Sequence, residues 1–224
     1  MSTLIAIEGI DGSGKGTQTQ LLTERLRMSG LRAASLQFPR YSATAFGAAI
    51  GDFLNGRFGE LQHVHPQLAA VLYAGDRFES KHLLQETLDQ NDVVILDRFV
   101  GSNLAHQCAR LQGQERRQLQ DWIRRVEHEV FGLPRPDLNI LIDVSSSISR
   151  QLVACKGARD YTDQEADLQE SNLPYLDLVR SCYLEIADAQ DDWVLVPGLT
   201  NTGQLRSIEQ VGADIFAHVR AVHG

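Results

Sequence analysis

Apolar residues along this chain fall into two alternating patterns. Short, mostly aliphatic runs stand at Leu4–Ile7, Ala33–Phe38, Val93–Leu96, Leu138–Val144 and Trp193–Val196. Runs of that kind read as strands buried on both faces of a sheet. Between them apolar residues recur at three-and-four spacing, the signature of a helix with one buried stripe. Leu21, Leu22, Arg25, Leu26 and Met28 mark such a helix after Lys15, with Gly30 as its stop. A long helix is predicted over Gln67–Gln90, with Leu68, Val71, Leu72, Leu84 and Leu88 on or near its buried side. Another is predicted over Glu115–Phe131, where Leu119, Trp122, Ile123, Val126 and Val130 keep one face. Ser145–Cys155, roughly Asp163–Gln190 and Gln204–Val222 complete the helices. This alternation predicts an α/β fold, a five-stranded parallel sheet with helices on both faces. Ligands of such a sheet gather at the carboxyl ends of its strands.

Polar and aromatic residues do converge on that rim. The first strand leads into Gly9-Ile10-Asp11-Gly12-Ser13-Gly14-Lys15-Gly16-Thr17. This is a phosphate-binding loop with Gly9, Gly14 and Lys15 in place, Gly16 where a hydroxyl is usual, and the hydroxyl one residue late on Thr17. Glycines let the backbone point successive N–H groups at an anion, and the following helix adds its positive end. Lys15 supplies a mobile charge for the outer phosphates. The second strand leads to Phe38-Pro39-Arg40-Tyr41, and the third to Asp97-Arg98-Phe99 and then Ser102-Asn103. Asp76-Arg77, after Tyr73, falls inside the long predicted helix.

Composition narrows the choice. A chain of 224 residues can fill one large α/β domain, here taken as residues 1–224. A net charge of −8 argues against a general nucleic-acid or anionic-membrane binder. Cys108, Cys155 and Cys182 lie far apart without paired spacing, as in a reducing, cytoplasmic setting. The N-terminus enters its first strand at once, leaving no room for a signal peptide, and no apolar run reaches transmembrane length. The histidines offer no metal pattern: His63 and His65 are two apart with nothing nearby to complete a site.

Glu8-Gly9-Ile10-Asp11-Gly12, Phe38-Pro39-Arg40, Asp76-Arg77 and Asp97-Arg98-Phe99, in this order and at this spacing, resemble the thymidylate kinases. The resemblance runs from Leu4 to about Val196 and is closest to actinobacterial members. It implies a P-loop NTPase fold with a short lid at about 155–165. It also implies transfer of the terminal phosphate of ATP to dTMP, giving ADP and dTDP, with Mg2+ and usually as a homodimer. The Glu115–Phe131 stripe is either core or a dimer face, and the resemblance favours part of the long-helix set as the interface. Lys15 and the N–H groups of residues 12–17 are expected to hold the donor phosphates, with Lys156 nearby. Arg98 is expected to grip the acceptor phosphate, since a guanidinium fork matches two phosphate oxygens; the alternative is a structural ion pair with Asp97 or another acid. Asp97 orients either magnesium-bound water or an arginine. Asp11 either braces its turn or touches magnesium or the sugar hydroxyl. Asp163 is a further candidate near magnesium water. Tyr73 is expected to stack on thymine, Arg77 to bond a thymine carbonyl, and Asn103 to meet the ring edge. Phe38, Pro39 and Tyr41 line the acceptor pocket, with a cis bond before Pro39 allowed by its sequence. Ser102 stands with them, and Arg40 is either a second phosphate contact or a solvated charge.

Three departures from the family pattern carry expectations. Gly16 removes the usual hydroxyl ligand, so magnesium is expected to be held by phosphate oxygens and water, with carboxylates outside. His106 stands where the closest relatives have a tyrosine that crowds the sugar 2′ position; either it is an ordinary helix histidine, or discrimination against ribose is weaker. Gly12 has no side chain where some members carry a catalytic arginine, so that charge falls to the lid: Arg159 first, Lys156 second, Arg150 third. The rival readings are another nucleoside monophosphate kinase, of adenylate or cytidylate type, and a non-catalytic nucleotide-binding regulator.

Overall fold

The structure, a computed structural model, describes residues 2–154 and 173–224. Five strands form the sheet: β1 (Thr3–Glu8), β2 (Ala33–Gln37), β3 (Val93–Asp97), β4 (Leu138–Asp143) and β5 (Trp193–Pro197). All pairings are parallel and the order is β2-β3-β1-β4-β5. The chain runs outward from β1 to β2, returns to β3, then crosses to β4 on the other side. The switch point therefore lies at β1, where a crevice opens for a ligand.

Alternate residues of each strand enter opposite cores. Leu4 and Ala6 of β1 face one side with Val94 and Leu96 of β3. Ile5 and Ile7 face the other with Val93, Ile95, Ile140 and Ile142. The second face is covered by α1 (Lys15–Met28) and α9 (Ile208–His223), through Leu22, Leu26, Val211, Ile215 and Val219. The first is covered by α5 (Val100–Cys108), α6 (Gly113–Arg124) and α8 (Leu173–Asp188). A smaller cluster joins α2 (Ala45–Leu54) to α3 (Pro66–Glu79) around Ile50, Phe53, Leu54 and Ala69. No helix among the described residues is long and apolar enough to cross a membrane.

Several expected elements differ. The long helix of Gln67–Gln90 is two, α3 and α4 (Lys81–Gln90), meeting at Ser80. Leu84 is buried as expected, but Leu68 is 63% exposed. The inner side of α3 is filled by Ala69, Ala70, Ala74 and Gly75, with Asp76 and Arg77 buried beside them. Small residues let α3 approach its neighbours closely, which leaves the larger Leu68 outside. The helix expected over Glu115–Phe131 is α6 followed by a π-helical turn, Arg125–Val130. Phe131 donates its N–H to the Val126 carbonyl at 2.8 Å, five residues back. The wider turn shifts the buried stripe from Val126 and Val130 onto Glu127, and leaves Val130 exposed. Helices α2 and α5 have no counterpart in the sequence reading. α5 is buried at every position, so it lacks the polar face that reveals a helix. The last helix starts at Ile208 rather than Gln204, because Ser207 and Gln210 form a capping box there. The remaining helix, α7 (Ser146–Ala154), follows β4.

Candidate active site

Glu8, the last residue of β1, is fully buried and sets the frame. Its carboxylate accepts the Phe99 N–H at 2.8 Å, the Ser102 hydroxyl at 2.6 Å and the Tyr183 hydroxyl at 3.1 Å. The end of β1 is thereby fastened to the start of α5 and to α8. Burial and the neighbouring Glu8 carboxylate push the Tyr183 phenol well above its ordinary pKa, so it stays a neutral donor.

Arg98 sits between β3 and α5 with φ 67°, a left-handed backbone unusual for a residue with a side chain. Its N–H donates to the Ile7 carbonyl at 3.0 Å, which holds the turn against β1. The guanidinium crosses to the glycine loop. Nη1 donates to the Gly9 carbonyl at 3.2 Å and to Ser102 Oγ at 3.1 Å, and Nη2 pairs with the Asp11 carboxylate. The acid that pairs with Arg98 is thus Asp11, not Asp97. Burial alone would raise the Asp11 pKa, but the charges of Arg98 and Lys15 outweigh it and hold the carboxyl well below the usual range. Burial likewise works against the Arg98 charge, and Asp11 more than restores it.

The loop itself is a closed turn. Gly14 is the N-cap of α1, with φ 90°. Lys15 is buried and donates from Nζ to the Ile10 carbonyl at 2.8 Å. Gly12 has φ 78°, and a Cβ there would run into the Ser149 carbonyl of α7. An arginine at position 12 does not fit this loop. Ser149 also donates its hydroxyl to the Asp11 carbonyl, so α7 braces the loop from behind. A Cβ on Gly16 would stand 3.1 Å from Asp97 Oδ2, which places the Asp97 carboxylate at the mouth of α1. Ser13 is buried in the same turn, and Thr17 lies on the first turn of α1.

Beside this loop a cleft of about 460 Å³, including the solvent at its mouth, is lined by Asp11, Phe38, Pro39, Tyr41, Tyr73, Arg77, Arg98, Ser102, Asn103 and His106. These residues were all expected at the acceptor side or in the loop. The Phe38–Pro39 bond is cis. Arg40 does not line the cleft; its guanidinium donates to Ser80 Oγ at 3.2 Å and its N–H to Asp76. Asp97 lies on the loop side. Arg150 is exposed on α7. Arg159, Lys156 and Asp163 lie outside the described residues.

Three residues were missed. Leu54 and Gln107 line the cleft, and both amide atoms of Gln107 are buried without a partner. Gln107 is one helical turn beyond Asn103, a spacing that would have exposed it had α5 been recognised. Glu127 is fully buried and binds Arg77 and Asn103 from below. No sequence signal marks it, because its burial depends on the π-helical turn.

A family model described as thymidylate kinase matches residues 7–211. The chain belongs to the thymidylate kinase family. It is 36% identical over 173 residues to thymidylate kinase of Mycobacterium tuberculosis, covering 75% of this chain and 80% of that one. It is 33% identical over 220 residues to a probable thymidylate kinase of Thermococcus onnurineus, covering 96% of each. Among solved structures, thymidylate kinase of Candida albicans superimposes with a TM-score of 0.73 at 25% identity, covering 100% of this chain and 94% of that one. The kinase fold and the P-loop reading are those expected from sequence.

The depressed Asp11 pKa has a defined sign. A carboxyl ionised more readily in the folded than the unfolded chain adds stability above its unfolded pKa, and that contribution fades as pH falls. Asp11→Asn is therefore expected to flatten the acid-side loss of stability, measured as the urea midpoint between about pH 5 and pH 2. An unchanged acid slope would show that the Asp11–Arg98 pair adds nothing to the fold.

Proposed function

We propose that the glycine loop and the cleft are the donor and acceptor halves of one phosphotransfer site, at which ATP phosphorylates dTMP to give ADP and dTDP. The observation that carries this reading is Arg98, whose guanidinium bonds both the loop, at Gly9 and Asp11, and Ser102 of the acceptor helix. Phosphoryl transfer asks little covalent chemistry of a protein; it needs alignment and neutralised charge. The N–H groups from Gly12 to Thr17 and the Lys15 ammonium bind the donor phosphates. Arg98 binds the acceptor phosphate. Tyr73 stacks on the base, Arg77 donates to a ring carbonyl, and Asn103 accepts from the ring N–H. Gln107 and His106 bound the far side of the cleft, where His106 bonds Tyr175.

Magnesium fits the donor half, where it would neutralise phosphate charge when bound. Asp97 beside Gly16, and Asp11, are its nearest carboxylates, with Asp163 a further candidate. Phosphate oxygens and water are its expected principal ligands, since Gly16 offers no hydroxyl where one is usual. The exclusion of a side chain at Gly12 supports a lid source for the remaining positive charge, with Arg159 ahead of Lys156 and Arg150. A homodimer is supported by exposed apolar side chains on and near α3, including Leu68, Phe78 and Val130. A cytoplasmic setting is supported by Cys108 and Cys182, which are buried free thiols.

The deciding measurement is ADP release from ATP with a panel of nucleoside monophosphates. Turnover is expected with dTMP, with ribothymidine monophosphate retained as a weaker substrate because His106 is smaller than tyrosine. Preference for another base overturns the acceptor assignment; no turnover with any overturns the kinase reading; a strict demand for deoxyribose removes the role given to His106. Arg159→Ala is expected to lower kcat by about 10³-fold or more, the scale of an arginine on the transferring phosphate. A loss below about tenfold, with Lys156→Ala also mild, rejects the lid assignment. Light scattering is expected to give twice the mass of one chain, and a single-chain mass rejects the dimer.

A further inference from the structure

Glu127 is fully buried in the π-helical turn after α6 and does not itself line the cleft. Its carboxylate stands beneath two residues that do. Oε2 accepts Arg77 Nε at 2.5 Å, and Oε1 accepts both Arg77 Nη2 at 2.7 Å and Asn103 Nδ2 at 2.8 Å. Asn103 Nδ2 also donates to the Ala70 carbonyl at 3.1 Å.

These bonds fix how the two residues meet a ligand. A carboxylate and a carbonyl accept only, so the Asn103 amide has one satisfactory orientation, with its NH2 toward Glu127 and Ala70. Oδ1 then faces the other way; it is buried and has no hydrogen-bond partner, in a side chain only 2% exposed. A buried acceptor without a partner is rare in a folded protein and points to a donor on a ligand. Arg77 has its Nε and Nη2 committed to Glu127, which leaves Nη1 as the nitrogen to face outward. Burial works against the Arg77 charge, but Glu127 overcomes it and keeps the guanidinium firmly protonated.

We propose that Glu127 is a positioning residue for base selection, holding Asn103 Oδ1 as an acceptor and Arg77 Nη1 as a donor side by side in the cleft. The inference rests on the acceptor-site reading given above. An acceptor beside a donor complements a pyrimidine edge that carries a ring N–H next to a carbonyl, as thymine and uracil do. Cytosine presents a bare ring nitrogen next to an amino group, which mismatches both. Glu127 therefore selects the base without touching it.

The test is Glu127→Gln, which keeps the shape but replaces one oxygen with NH2. Whichever way the new amide turns, an N–H faces either Arg77 Nε or the pair Arg77 Nη2 and Asn103 Nδ2. The KM for dTMP is expected to rise about tenfold or more, with kcat and the KM for ATP changed by less than about threefold. The kcat/KM preference for dTMP over dCMP is expected to fall about tenfold. A role confined to the fold would reduce the amount of active protein and leave both the KM and the base preference of the remainder unchanged; that result overturns the inference. Glu127→Asp keeps the charge and acceptors but shortens their reach. It is expected to raise the KM for dTMP while keeping the dTMP preference, and a native KM overturns the inference even where the Gln variant does not fold. Asn103→Ala separates the two readings. A native KM for dTMP in that variant removes the acceptor-site reading itself, whereas a raised KM there with a native KM in Glu127→Gln removes only the positioning role.

Discussion

The Arg98–Asp11 ion pair is the constraint around which the rest of the site is arranged. Each partner lies on a different side of the switch point, one on the glycine loop after β1 and one on the turn after β3. Each is costly to bury alone and is kept charged by the other. The pair ties the glycine loop to the start of α5, so under the proposed function the distance between the two substrates is a property of the folded chain. The left-handed backbone at Arg98 is the local cost of that link. The Ile7 carbonyl, Gly9 and Ser102 over-determine the conformation and so maintain it. In the proposed transfer, an arginine already held in place needs little rearrangement when charge shifts, which is how preorganised groups lower a barrier.

Two buried carboxylates support this centre from different sides. Glu8 fastens α5 and α8 to the end of β1 and so positions Phe99 and Ser102. Asp76 accepts the Arg40 N–H and the Thr44 hydroxyl, pinning the segment that carries Phe38, Pro39 and Tyr41 to α3. Burial raises the Asp76 pKa despite these bonds. The Asp76-Arg77 dipeptide therefore divides its work: the acid shapes the wall of the cleft, and the base reaches into it. Arg40 does not line the cleft; it is tied to Asp76 and Ser80 instead.

Much of this was legible in the chain, for identifiable reasons. The strands were readable because a sheet covered on both faces demands aliphatic runs, and β1 and β3 supply them. The loop was readable because anion binding demands glycines at fixed spacing. The cleft residues were readable through resemblance, which marks positions without explaining them. What stayed hidden depends on tertiary context. α5 is buried all round and shows no period. Leu68 looked like a core residue, yet α3 packs through its alanines. Glu127 carries no signal in the sequence, and only the extra residue in a π turn rotates it inward.

The buried Arg77–Glu127 pair also bears on how this protein can change over time. Losing either partner alone strands a charge in the interior, at a cost of about 3–5 kcal/mol, a large fraction of the margin that keeps a domain folded. Under the base-selection proposal, a substitution that strands one of these charges therefore passes through a less stable intermediate, unless both partners change together. Substrate preference is in this way sheltered from gradual drift by stability rather than by selection on catalysis alone.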